Sequence, residues 1–231
     1  MRDDICTIPV SEVFEHNDGC PICRMRDTIE ERMTDYILGD AMMEPDVRIE
    51  TNKTGFCEHH YNNMMSRRGR LQLALMLQTH INEINGEIFK KKLFNTDSKK
   101  TGNAKTITDS CFICSKIEWG LSRMIETVYR CYETQKDFRD MFNSQSMFCL
   151  PHYERLLGGA SKRNMKSYYS EFSENLNRIT GEYSKSLYDD LSKYCTMYDY
   201  RSRDGETDWG NSRDAVERTV AFLNGRIYKE E

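Results

Sequence analysis

The chain has 231 residues and a mass of 27.2 kDa, enough for one large domain or two small ones. A protein of this size buries about 70% of the surface its unfolded chain exposes, so it needs no metal or disulfide merely to reach a workable core. The 33 basic and 37 acidic residues leave a formal charge of -4, which argues against a dedicated nucleic-acid or anionic-membrane binder.

No apolar run approaches the roughly 18 residues of a membrane-spanning helix. The N-terminal stretch MRDDICTIPVSEVFEHNDG has acids where a signal peptide needs bases, and it has no apolar core. The chain therefore reads as cytoplasmic. Aromatic residues at 11% argue against wholesale disorder.

In chain order, Ile5 to Val10 is a candidate strand. Cys20 and Cys23 form CPIC, followed by Met25, Ile29, Met33, Tyr36 and Ile37 at helical spacing. Asp46 to Thr51 is a second candidate strand and carries Asp46 and Arg48. Cys57 and His60 form CEHH. Beyond Tyr61, Leu73, Leu77, Ile81, Ile84 and Ile88 make an apolar helical stripe. Residues 93–108 are basic, polar and aperiodic, and read as a linker. Cys111 and Cys114 form CFIC, followed by a helix with Ile117, Leu121, Met124, Ile125 and Val128 on its apolar face. Cys149 and His152 form CLPH, where Pro151 suits the first turn of a helix. From Met165 to Tyr194, apolar residues step by three or four, which predicts a helix of roughly 30 residues. A polar stretch with Trp209 as an anchor then leads to a short helix, with Ser212 as its N-cap and Gly225 as its stop.

The cysteine spacing carries the chemistry. The chain reads C-x2-C-x33-C-x2-H and then C-x2-C-x34-C-x2-H. A shift of 91 residues puts Cys20, Ile22 and Cys23 on Cys111, Ile113 and Cys114, and Asp46 and Arg48 on Asp137 and Arg139. One further residue puts Phe56, Cys57, His60 and Tyr61 on Phe148, Cys149, His152 and Tyr153. Such self-similarity implies one supersecondary unit used twice. It also favours His60 over His59 as a ligand, because the position of His59 is Pro151 in the second copy. Three thiolates and one imidazole are the ligand set of a closed tetrahedral zinc site. The expectation is two zinc ions per chain, one held by Cys20, Cys23, Cys57 and His60 and the other by Cys111, Cys114, Cys149 and His152. An iron–sulfur cluster is the lesser reading, since it takes four thiolates in a tighter run. Cys6, Cys131 and Cys195 are left over as packing residues, and His16 and His80 as ordinary surface or helix residues. Asp46, Arg48, Asp137 and Arg139 read as salt bridges or loop braces.

The segments TIPVSEVFE, GCPICRM, AMMEPDVRIETN, GFCEHHY and NSRDAVERTVAFLNG together resemble a family of uncharacterised bacterial proteins classed as a domain of unknown function. The resemblance spans the whole chain and implies no activity, substrate or partner. Some members of that family carry the label of transporter substrate-binding protein. The lack of an export signal and of a two-lobed α/β pattern argues against that label here.

The expected architecture is all-α, with two related helical units, each stapled by a Cys3His zinc site, and a short docking helix. The units fall at residues 1–92 and 109–198, with the linker at 93–108 and the final linker and helix at 199–231. A saturated zinc ion leaves no position for water, so the sequence favours a binding or regulatory scaffold, with a protein partner unspecified, over an enzyme. A thiol-based redox sensor or redox enzyme using the CxxC pairs is the alternative. A nucleic-acid-binding zinc protein is the third reading and rests only on Arg67, Arg68, Arg70 and the basic linker.

Overall fold

Each apolar stripe needs a partner surface, and among the described residues that surface is built mainly by other helices. The computed structural model describes residues 7–89, 96–199 and 208–225. Among these residues there are eleven α-helices and no strand. They are α1 (Thr7–Phe14), α2 (Pro21–Leu38), α3 (Pro45–Thr54), α4 (Glu58–Ser66), α5 (Arg70–Ile84), α6 (Asp97–Thr108), α7 (Phe112–Thr134), α8 (Lys136–Asn143), α9 (Leu150–Gly159), α10 (Tyr169–Tyr198) and α11 (Ala215–Asn224). No described helix is long and apolar enough to cross a membrane.

Residues 7–10 of the first candidate strand and the whole of the second are helical, while Ile5 and Cys6 lie outside the described residues. Val10 and Phe14 of α1 are buried one turn apart, a helical rather than an alternating pattern. In α3, Pro45 stands in the first turn, where its missing N–H costs nothing, and Asp46 follows where the helix dipole favours an acid. Local β-branched content at Val47 and Ile49 yields to these start signals.

The chain divides into two compact units that do not follow sequence order. Unit 1 comprises Met1–Met25 and Arg123–Glu231, and unit 2 comprises Arg26–Ser122. The boundaries fall inside α2 and α7, unlike the expected division at the basic stretch. That stretch is itself largely α6. The Thr96 side chain caps it by accepting from the Lys99 N–H at 3.3 Å. No α6 residue is buried, which is why no apolar periodicity announced it. Residues 93–95 of the expected linker lie outside the described residues.

The core of unit 1 is aromatic. Phe142 is its hub, with ring centroids 4.9 Å from Phe148, 4.9 Å from Phe172, 5.1 Å from Tyr132 and 5.7 Å from Phe14. The long helix α10 contributes Phe172, Leu176, Ile179 and Leu187 to the buried set, at the predicted spacing. Trp209 packs on Tyr194 and Tyr198, with ring centroids 5.7 and 5.4 Å away. Gly225 ends α11 in the left-handed conformation. Ser212 lies in a short 3-10 turn before α11, and its hydroxyl donates to the Trp209 carbonyl, so it is not the cap of that helix.

The core of unit 2 gathers Ile37, Leu38, Phe56, Met64, Leu73, Met76, Phe112 and Ile113. Here the α5 stripe is turned from its expected face. Met76 and His80 are buried, whereas Ile81 is 53% exposed. Asn52 is the reason: its carbonyl lies 2.7 Å from His80 Nδ1, so the polar ring is satisfied inside. His80 is thus a buried helix residue, and His16 is exposed. A π turn at Asn85–Phe89 then rotates the chain and returns Ile88 to the core.

The two aligned arginines act as braces. Arg48 donates to the carbonyls of Met42 and Leu75 and to the Thr79 hydroxyl. Arg139 donates to the Tyr132 carbonyl at 2.9 Å and lies over the Tyr168 ring. Asp46 and Asp137 sit in the first turns of α3 and α8.

Replacing Phe142 by Ala removes the shared ring of this cluster. It should destabilise unit 1 by about 3–5 kcal/mol, measured by denaturant unfolding. A loss within the ±0.5 kcal/mol of an ordinary surface change would contradict its place at the centre of the core.

Candidate metal centres

All eight candidate ligands stand at helix N-termini. Cys20, Cys57, Cys111 and Cys149 each immediately precede a helix, at the starts of α2, α4, α7 and α9. Cys23, His60, Cys114 and His152 are the third helical residues. The x2 spacing is therefore one helical turn, from cap to N3. The positive end of each helix dipole favours a thiolate there. At α7 the backbone N–H of Cys114 donates to Cys111 Sγ at 3.5 Å, so the sulfur takes the place of a capping oxygen.

The structure brings these turns together in crossed pairs. Cys20 and Cys23 meet Cys149 and His152 in unit 1. Cys111 and Cys114 meet Cys57 and His60 in unit 2. The pairing expected from sequence order, each CxxC with the next CxxH, is not what forms.

Loop-to-loop hydrogen bonds set each crossed pair. In unit 2 the Phe112 N–H donates to the Gly55 carbonyl at 3.0 Å, and the Ser110 hydroxyl donates to the Thr54 carbonyl at 2.8 Å. Gly55 has φ 58, and a Cβ there would come 2.7 Å from His80 Nε2, so no larger residue fits. In unit 1 the Gln145 amide donates to the Phe14 carbonyl at 2.7 Å, and the Asn17 amide to the Ser144 carbonyl at 2.8 Å. Each loop that leads into a CxxC is thus tied to a loop that leads into a CxxH.

The distances fit one ion per cluster. In unit 2, His60 Nδ1 lies 3.1 Å from Cys57 Sγ, 3.3 Å from Cys111 Sγ and 3.5 Å from Cys114 Sγ, with Cys57 and Cys114 sulfurs 3.8 Å apart. In unit 1, His152 Nδ1 lies 3.1 Å from Cys149 Sγ, 3.3 Å from Cys23 Sγ and 3.6 Å from Cys20 Sγ, with Cys23 and Cys149 sulfurs 3.6 Å apart. A tetrahedral ion with S and N bonds of about 2.3 and 2.0 Å has S···S edges of about 3.8 Å and S···N edges of about 3.5 Å. The eight described cysteines are all free thiols, so no disulfide accounts for the close sulfurs.

The thiols also compete for charge. Burial pushes the Cys111 thiol up, but bonds from His60 and from backbone groups of Cys114 and Cys57 outweigh it and bring it to about 6. Burial and the neighbouring Cys111 and Cys57 raise Cys114. For His60, burial favours the neutral ring, yet Cys111 and Glu30 lift it to about 10. In unit 1 burial opposes ionisation of Cys20, but bonds from Cys149, Cys23 and His152 hold it well below the usual thiol range. Cys149 is pushed up to about 12, first by its bond to Cys20. In unit 2 a lowered Cys111 thiol thus faces a raised His60 imidazole, while the Cys114 thiol beside them is raised. A divalent ion removes that conflict, because coordinated thiols are deprotonated outright.

His59 stays out of the thiol cluster. Its Nε2 lies 2.7 Å from Glu30 Oε1, and Glu30, His59 and His60 form a third group of metal-competent side chains. The sequence reading passed over Glu30. The available signal was an acid three and four residues from Met33 and Thr34 on a face where Thr34 and Ile37 are buried. Of the leftover cysteines, Cys131 is buried on α7, and burial raises its thiol. Cys195 is exposed on α10 and is no packing residue. Cys6 lies outside the described residues. Arg67, one of three arginines behind the nucleic-acid reading, is engaged by Asp35 at 2.6 Å.

The two clusters differ in access. In unit 1 the Cys23 thiol donates to the Gly225 carbonyl at 2.8 Å, and a Cβ on Gly225 (φ 72) would come 3.2 Å from Cys149 Sγ. The end of α11 therefore covers that cluster at van der Waals distance. In unit 2, Cys114 is exposed.

A family described as "Family of unknown function (DUF6062)" matches residues 1–230. No curated protein and no solved structure matches the chain.

Exposure should set reactivity. Under a slow excess of iodoacetamide with a chelator present, Cys114 should be alkylated before Cys20, Cys23 or Cys149, as read by peptide mass spectrometry. Earlier labelling of Cys149 would contradict the covering role of Gly225.

Proposed function

The chain belongs to the DUF6062 family, whose function is unknown, so its role has to be read from its own chemistry, and we propose that it is a structural zinc protein carrying two closed Cys3His sites. The observation that carries this reading is the geometry of the two crossed clusters, whose edges match a tetrahedral ion. Zinc suits a set of three thiolates and one imidazole, and four protein ligands leave no open position for catalytic water. Each ion joins two helix N-termini from distant parts of the chain, so its work is to hold the fold. The protein then serves as a binding or regulatory scaffold in a reducing, cytoplasmic setting, where its thiols stay free.

A second reading has one observation in its favour. Cys114 is exposed and its sulfur lies 3.8 Å from Cys57 Sγ, so the unit 2 cluster suits a thiol-based sensor that releases its metal on oxidation.

The purified protein should be colourless and hold two zinc ions per chain by elemental mass spectrometry. Cobalt in their place should give tetrahedral cobalt–thiolate bands. Structural zinc contributes about 10–16 kcal/mol to the folding of small zinc-finger peptides. Here large apolar cores share that task, so chelation should lower stability by less per site, with loss of cooperative unfolding in both units. Metal content near zero, or a brown iron–sulfur chromophore, would refute the zinc assignment. Prompt zinc release at low peroxide, reversed by dithiothreitol, would favour the sensor instead.

A further inference from the structure

We propose that Glu30 is a positioning residue for the metal ligand His60, and that the unit 2 site is thereby built with a carboxylate brace at a position that is leucine in the other copy. This inference rests on the metal reading above.

The argument begins with tautomers. His60 turns Nδ1 toward all three sulfurs of its cluster, at 3.1, 3.3 and 3.5 Å. A ring that binds metal through Nδ1 carries its remaining proton on Nε2. That Nε2 is buried and has no hydrogen-bond partner among the described residues, and the carboxylate oxygen beside it is Glu30 Oε1, 3.4 Å away. A buried N–H needs an acceptor, and a ligating imidazole commonly donates its other N–H to a carboxylate or carbonyl. Glu30 supplies the carboxylate.

Burial makes the placement informative. Glu30 is 5% exposed, on the inner face of α2, and a carboxylate is almost never buried unless paired. The same Oε1 lies 2.7 Å from Nε2 of His59, which reaches it from the outer side of α4. His59 thus holds the carboxylate from one direction and keeps it within 3.4 Å of His60 Nε2. The chain links are short: α4 carries both histidines in its first turn, and α2 carries the acid. The 91-residue shift puts Leu121 at the position of Glu30. The brace therefore belongs to the site whose Cys114 is exposed, and not to the pattern shared by both copies.

The test follows zinc release to a chromogenic chelator from the full-length zinc-loaded protein. Two phases are expected, and Cys114→Ser identifies the one that belongs to unit 2. Glu30→Leu, the residue of the matching position, should speed that phase by about 10–100-fold and leave the other unchanged. Glu30→Gln keeps an acceptor oxygen but no charge, and should fall between. A merely structural role for Glu30 would instead accelerate both phases in step with lost thermal stability. If Glu30→Leu fails to fold, Glu30→Gln decides: faster release in the unit 2 phase alone supports the brace, and wild-type release overturns it. Two zinc ions in the wild type with unchanged release in both variants would overturn this inference alone. No zinc in the wild type would overturn the metal reading and this inference with it.

Discussion

Three sulfurs and one imidazole nitrogen lie within 4.8 Å of one another at the starts of two helices, and this protein builds that arrangement twice. In each cluster the ligands ride on the first turns of two helices, so whatever joins the ligands also joins the helices. The helix dipoles, the capping sulfur of Cys111 and the loop-to-loop hydrogen bonds all point to the same arrangement. The rest of each unit, from the Phe142 rings of unit 1 to the Phe56 and Phe112 contact of unit 2, packs behind helix starts placed in this way.

Crossed pairing has a modest entropic cost. The unit 1 cluster joins Cys23 to Cys149 across 126 residues, where the sequential pairing would close a gap of about 34. Loop-closure entropy grows only with the logarithm of length, so the longer loop costs about 1 kcal/mol more. The consequence is kinetic. Contacts between residues so distant in sequence form late and slow the folding of the chain.

Much of this was legible beforehand. The eight Cys and His residues that cluster, the all-α class, the 30-residue α10 and the stop at Gly225 follow from spacing, periodicity and punctuation alone. What stayed hidden depends on three dimensions. The partner of each CxxC is set by which loops meet in the fold, which a ligand spacing does not encode. Ile81 reads as core and His80 as an ordinary surface or helix residue until Asn52 is known to satisfy the imidazole inside. Helix α6 has no apolar stripe to reveal it, and its cap at Thr96 is a single residue in a polar run. Glu30 looks like one more surface acid until two histidines converge on it.

The crossed pairing is the claim on which the account turns, and protection of thiols tests it most directly. His152→Ala removes one ligand from the unit 1 cluster. After zinc loading, brief alkylation and peptide mass spectrometry, the account predicts that Cys20, Cys23 and Cys149 become labelled together while Cys57, Cys111 and Cys114 stay protected. Labelling of Cys111 and Cys114 in place of Cys20 and Cys23 would show that each CxxC shares its metal with the CxxH that follows it, and would contradict the structure described.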